Sequence, residues 1–237
     1  MDDGIQLWEA CQDGNIEEVI RLLQNSQIDI NWQDFQFNAD QLHFEYLRTP
    51  FWIACKRGHL EIVKLLLNDP RVDVNKGTND GATPFFIACY KGHIEVVKLL
   101  LKNERIDIHK EETSISATPF WIACKRGHIE IVKLLLSDQR VDINQANDDG
   151  TTPFQIACEE RRIELVELLL KNERVDANKA DKYDETPFYI SCKEGQIEIV
   201  KLLLNVKRVD VNQTNNNGET PFSVACKRDQ LKLWSSY

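Results

Sequence analysis

The 237-residue chain has no apolar stretch approaching the roughly 20 residues that cross a bilayer, so its sequence offers no membrane-spanning helix. It has no excess of positive charge either. Its 29 Lys and Arg stand against 38 Asp and Glu, a formal net charge of −9. That balance disfavours nonspecific attachment to nucleic acid or to an anionic membrane, both of which need a basic footprint. A local basic patch is compatible with the total. The opening Met-Asp-Asp-Gly is acidic with no apolar core behind it, so a secretory signal is not expected. Also missing are a phosphate-cradling glycine loop, a metal-ligand cluster and a nucleophile set beside a base. No catalytic residue, cofactor site or metal site is assigned, and the chain reads as a non-enzyme.

What is present is repetition. The eleven letters TPFWIACKRGH at Thr49–His59 are written again at Thr118–His128, and Thr-Pro-Phe also begins at Thr83, Thr152, Thr186 and Thr220. The steps between these starts are 34, 35, 34, 34 and 34 residues. A fixed period in this range marks a stack of repeats and makes one elongated domain the expectation. The sequence divides into an N-terminal capping repeat at 5–48 with an insertion at 35–46. Full repeats follow at 49–82, 83–117, 118–151, 152–185 and 186–219, then a truncated C-terminal repeat at 220–237.

Within one repeat, Thr49 suits a helix N-cap and Pro50 the first helical position, with a short helix running to about Arg57. Gly58 supplies the left-handed residue that ends it. A second helix, roughly 60–67, turns Ile62, Val63, Leu65 and Leu66 inward and Glu61 and Lys64 outward. The polar run 75–81 carries the turn chemistry of an extended hairpin. Helices this short are marginal in water, so each must bury its apolar face on a neighbour, and the phrase recurs because the stacking problem recurs. Cys11, Cys55, Cys89, Cys124, Cys158, Cys192 and Cys226 occupy one place per repeat. Equivalent positions in stacked helices lie about 8–10 Å apart, beyond disulfide reach, and the same spacing defeats zinc ligation. They read as small buried thiols in a reducing, cytoplasmic compartment.

The pattern Thr-Pro-Phe-x-Ile-Ala-Cys-x-x-Gly-His-x-Glu-x-Val-x-x-Leu-Leu, followed by Val-Asp-Val-Asn, resembles the ankyrin repeat over about residues 5–234. The resemblance implies an all-α repeat solenoid of stacked helix pairs joined by projecting, β-hairpin-like loops, used mostly to bind other proteins. The wording departs from the family in three places. Phe replaces Leu after Thr-Pro, and Cys stands where a second Ala is common. The usual histidine becomes Trp52, Phe86, Trp121, Gln155, Tyr189 and Ser223. The Gly-Ala before Asp-Val-Asn becomes an Arg followed by a β-branched residue, at Arg71, Arg105, Arg140, Arg174 and Arg208. The family's interrepeat histidine bonds are therefore not assumed.

Recognition is expected at positions that do not solve the stacking problem. Along the first helices, residues four apart on one face read Trp52/Lys56, Phe86/Tyr90, Trp121/Lys125, Gln155/Glu159, Tyr189/Lys193 and Ser223/Lys227, with Arg57, Lys91 and Arg126 alongside. In ankyrin-like folds this helix lines the concave side. The strip is basic and aromatic in its N-terminal half and turns acidic at Glu159-Glu160, which suits an extended acidic or aromatic-containing segment of a partner protein. The alternative for Trp52, Phe86 and Trp121 is packing between repeats. The insertion, with Phe35, Phe37, Phe44 and Tyr46, is either a recognition finger or a flap over the first interface. His59, His93 and His128 recur beside Gly and suit capping or hairpin bonding. The arginine series suits helix-end carbonyls or nearby Asp residues. The favoured function is a monomeric, non-catalytic protein-binding module or scaffold, with no membrane or nucleic-acid partner. The alternative is a targeting or adaptor part of a larger protein, or of a secreted effector, whose active portion lies outside this chain.

Overall fold

Each Thr-Pro starts a helix. In the computed structural model, which describes residues 3–38 and 43–227, Thr49 Oγ1 accepts the backbone N–H of Trp52 at 3.1 Å. Pro50 follows at the first helical position, where no N–H is needed. The same 3.1 Å bond recurs at Thr83, Thr118, Thr152, Thr186 and Thr220.

The chain forms two compact units, Met1–Ser114 and Ile115–Tyr237. The first holds α1 (Asp3–Asp13), α2 (Ile16–Leu23), β1 (Asp34–Asn38), β2 (His43–Arg48), α3 (Pro50–Arg57), α4 (Leu60–Asn68), α5 (Pro84–Lys91) and α6 (Ile94–Leu101). The second holds α7 (Pro119–Arg126), α8 (Ile129–Ser137), α9 (Pro153–Glu159), α10 (Ile163–Leu170), α11 (Pro187–Lys193), α12 (Ile197–Leu204) and α13 (Pro221–Lys227). The second helix expected at Gln230–Trp234, with Asp229 before it, lies outside the described residues.

The helices are stacked in pairs. In the first unit α3 packs on α1 and α5, and α4 on α2 and α6. In the second, α9 packs on α7 and α11, α11 on α13, and α10 on α12. The phenylalanine of each full repeat's Thr-Pro-Phe, from Phe51 to Phe188, is 1–2% exposed. Burying such a ring stabilises by roughly 1.5–3 kcal/mol, which offsets the weakness of helices this short. The periodic cysteines are free, all buried except half-buried Cys226. Burial pushes the buried thiols up, Cys192 to about 12, so they remain protonated and act as small apolar filler.

The connections are held by polar series. Arg71 donates to the carbonyls of Leu23, Asn25 and Ser26 and pairs with Asp69, while Arg174 donates to those of Leu136 and Val141. The arginines thus bond helix-end carbonyls across repeats. Asparagines add a second series: Asn75 donates to the Arg105 carbonyl at 2.6 Å while its Oδ1 accepts from Asp107 N at 2.8 Å. Asn31, Asn144 and Asn178 make the same pair of bonds.

The insertion is a strand pair rather than an irregular loop. β1 and β2 run antiparallel with Asp34 opposite Arg48 and Phe37 opposite Phe44, and a register shift between Asp34 and Gln36. Strand pairing satisfies backbone groups that a ten-residue excursion would otherwise leave to water. The side chains of Phe35, Phe37, Phe44 and Tyr46 lie outside the described part of the structure.

Candidate protein interface

The first helices of each repeat show one division. The residue at the Trp52 position is buried in every full repeat, and half-buried at Ser223 in the last, while the residue four later reaches solvent. In the first unit Trp52 and Phe86 are buried, Lys56 and Tyr90 are half-buried, and Arg57 and Lys91 are exposed. In the second, Trp121, Gln155 and Tyr189 are buried, Lys125, Glu159 and Lys193 are half-buried, and Arg126 is exposed.

The buried members that carry a polar group bond forward to the next connection, while Phe86 fills its place without one. Trp52 Nε1 donates to the Ala82 carbonyl at 2.8 Å and Trp121 Nε1 to that of Thr151 at 2.9 Å. Gln155 Nε2 donates to Asp181 Oδ2 at 3.0 Å and to the Glu185 carbonyl at 3.3 Å. Tyr189 OH donates to Glu219 Oε2 at 3.2 Å and accepts from Asn215 Nδ2 at 2.9 Å. A tie from first helix to following hairpin is therefore kept with an indole, an amide or a phenol. Trp8, the cap's equivalent, is buried with Nε1 unpartnered. The inserted hairpin replaces the short connection that supplies the carbonyl elsewhere.

The solvent-reaching members form the candidate face. Lys56 Nζ lies 5.3 Å from the Trp52 ring centroid, Lys125 Nζ 5.3 Å from that of Trp121, and Lys91 Nζ 5.1 Å from that of Tyr90. Such cation–ring contacts hold a long side chain in place while leaving its charge available. Burial, reinforced by Arg48, Lys91 and Arg57 and opposed by Asp34, holds Lys56 below the usual lysine range. The second unit behaves oppositely. Burial and the neighbouring Asp181, Glu160 and Glu185 raise Glu159 to about 7, against the pull of Lys125. A cavity of about 450 Å³ opens there, lined by Glu159, Asp181, Glu185 and Lys193 among others.

The histidines take a role that spacing did not reveal. His59 and His93 sit at the N-caps of α4 and α6 without making a side-chain cap bond. Instead His93 Nε2 meets the Lys56 carbonyl at 2.9 Å, 37 residues back, and His59 Nε2 meets that of Gln12 at 3.2 Å. Arg162 and Gln196 stand at the same place and donate to the Lys125 and Glu159 carbonyls at 3.1 Å. The requirement is a donor of sufficient reach. Gly58 is shaped by this bond, since at φ 76 it ends α3 and a Cβ there would lie 2.6 Å from His93 Nδ1.

Two positions of consequence escaped sequence reasoning. Asp34, at the base of the inserted hairpin, accepts from Arg48 backbone N at 2.9 Å and from its guanidinium. The residue just before Thr-Pro is charged at Arg48, Glu185 and Glu219 and uncharged at Ala82, Ala117 and Thr151, so it changes the charge beside the candidate face from repeat to repeat. Its variation from repeat to repeat, next to an unvarying Thr-Pro, is the sequence signal that marks it.

A family model described as ankyrin repeats (3 copies) matches residues 7–112, 109–181 and 164–234. The chain belongs to the ankyrin repeat family. Its ankyrin fold is similar to the human ASB11 ankyrin repeat domain, with 25% identity over 96% of each chain and a TM-score of 0.77. It is also similar to the ankyrin repeat domain of Bcl-3, titled a unique member of the IkappaB protein family, with 21% identity over 97% of each chain and a TM-score of 0.79. That second likeness shows the fold alone. A search of curated proteins found no match to this ankyrin chain. No described helix is long and apolar enough to cross a membrane.

Proposed function

We propose that the chain is a non-catalytic protein-binding module that takes up a segment of a partner protein on its first-helix and hairpin face. The observation that carries this reading is the division along the first helices. Each full repeat buries its residue at the Trp52 position, whereas the residue four later reaches solvent: Lys56 and Tyr90 in the first unit, Lys125, Glu159 and Lys193 in the second. Stacking alone places no such demand on them, and ankyrin repeats generally serve as interaction surfaces. The buried Trp52, Phe86, Trp121, Gln155 and Tyr189 support the face from behind, while Lys56, Arg57, Tyr90, Lys91, Lys125, Arg126, Glu159 and Lys193 meet the partner. The buried, protonated thiols suit a reducing cytoplasmic setting.

The test is site-specific photo-crosslinking. A photoreactive phenylalanine replaces Tyr90, or replaces Lys98 on the opposite side of the same helix pair as a control, and cross-linked proteins from source cells are identified by mass spectrometry. A protein captured at residue 90 and not at residue 98 supports the reading. Capture only at residue 98, or at neither, overturns it.

A further inference from the structure

Lysines at one repeat position meet different electrostatic surroundings from repeat to repeat. In the second unit Lys193 Nζ donates to both Glu185 oxygens at 2.8 Å, across a separation of eight residues. Lys227 makes the same pairing with Glu219, again eight residues back. In the first unit the corresponding lysine is Lys56, and the residue eight before it is Arg48. The carboxylate that pairs with Lys193 and Lys227 is replaced by a second cation at Lys56, whereas Lys125 has Ala117 in that place.

Among the described residues of the first unit no acid pairs with Lys56. Asp34 is the carboxylate at hand, and it is engaged by Arg48 through backbone N, Nε and Nη2, with both side chains about nine-tenths buried. Arg48 also lies over the Trp8 ring, 5.4 Å from its centroid, so the base of the inserted hairpin fixes it in place. Among the described residues Lys56, Arg57 and Lys91 make no ion pair. Among the described side chains the charges around Lys56 are Arg48, Arg57 and Lys91 with the carboxylate of Asp34, on a chain whose net charge is −9. Three of these cations rest on aromatic rings, so an incoming anion finds them already positioned and loses little to ordering them.

We propose that the Lys56 and Lys91 surface of the first unit, backed by Arg48, docks an acidic segment of a partner protein, a partner carboxylate taking at Lys56 the place Glu185 takes at Lys193. The proposal rests on the protein-binding reading above and adds the partner's chemistry. A protein segment fits better than nucleic acid because the cationic surface is local and the chain as a whole repels a polyanion.

The experiment measures fluorescence anisotropy of a fluorescein-labelled decaglutamate peptide against the full chain, at low and near-physiological salt. Binding that weakens with salt is expected for the wild type, with Lys56→Glu weakening it about tenfold. Lys56→Glu also supplies the missing acid beside Arg48, so its Tm should hold or rise, which separates lost recognition from lost folding. Lys91→Glu, at an exposed position, is the second variant and should weaken binding in the same direction. Lys98→Glu on α6 changes net charge equally and should leave affinity within about twofold. Absence of decaglutamate binding, equal affinity in Lys56→Glu and Lys91→Glu, or tighter binding of a ten-nucleotide oligo-dT overturns the proposal. If cross-linking at residue 90 survives such a result, the acidic specificity fails alone; if that cross-link is absent, the protein-binding reading fails as well.

Discussion

Trp52 gives its indole N–H to the backbone carbonyl of Ala82 at 2.8 Å, joining the first helix of the repeat to the end of its own hairpin, just before the next Thr-Pro. The carbonyl also accepts from Thr78 N at 3.2 Å, so it is not orphaned when the indole is removed. Trp52→Phe should therefore cost about 0.5–1.5 kcal/mol, the net worth of one hydrogen bond, read by urea denaturation. Trp52→Ala should cost about 3–5 kcal/mol through the cavity it leaves. The alanine variant consequently reports on packing, and Trp52→Phe is the one to use when recognition is in question.

Arg161 holds φ 54 where the other described repeats place glycine between their helices. Its side chain makes one long contact, Nη2 to the Glu194 carbonyl at 3.4 Å, and it is exposed. Arg161→Gly should raise stability by about 1 kcal/mol, because a left-handed conformation costs an L-residue roughly 1–2 kcal/mol and glycine almost nothing. Thermal unfolding checks it, and a fall in Tm means that the long contact or the unfolded-chain entropy of glycine outweighs the strain.

The repeat, its helix starts and the purpose of its cysteines are legible in the sequence because each is a local solution copied many times. Thr49, Pro50 and Gly58 announce their roles by type and order alone. The candidate face is half legible. Helical spacing puts Trp52 and Lys56 on one side of α3, yet spacing does not say that the ring is 4% exposed while the lysine reaches solvent. That depends on the hairpin that Ala82 closes, thirty residues away. The pairing of Asp34 with Arg48 was hidden for a similar reason, since strand register across an insertion brings together residues no periodicity relates.

His93 reaches back to the Lys56 carbonyl at 2.9 Å, and Gln196 makes the equivalent bond to that of Glu159 at 3.1 Å. If the position asks only for a donor, His93→Gln should change stability by less than about 0.5 kcal/mol, while His93→Leu should cost about 1–2 kcal/mol by leaving the carbonyl without that bond. Chemical denaturation of both variants checks this, and equal losses would mean that the ring's packing over Gly58 matters more than its N–H.

Glu159 makes the stability of the second unit depend on pH near neutrality. Its carboxyl is raised to about 7, first by burial and then by Asp181, Glu160 and Glu185, with Lys125 opposing. A carboxyl whose folded-state value lies above its unfolded one binds its proton more tightly when folded. Its stabilising contribution is complete below the ordinary glutamate value of about 4.3 and is lost as pH rises through about 7. Glu159→Gln cannot ionise, so at pH 8 it should exceed the wild type, with the two converging near pH 4.5. Because Glu159 partly reaches water, the gain is about 1 kcal/mol, roughly 2–4 °C in Tm. Paired melting curves from pH 4.5 to 8 decide the matter: a gap that is constant with pH would assign the effect to packing of the amide, whereas a gap that opens through pH 7 assigns it to ionised Glu159 among its acidic neighbours.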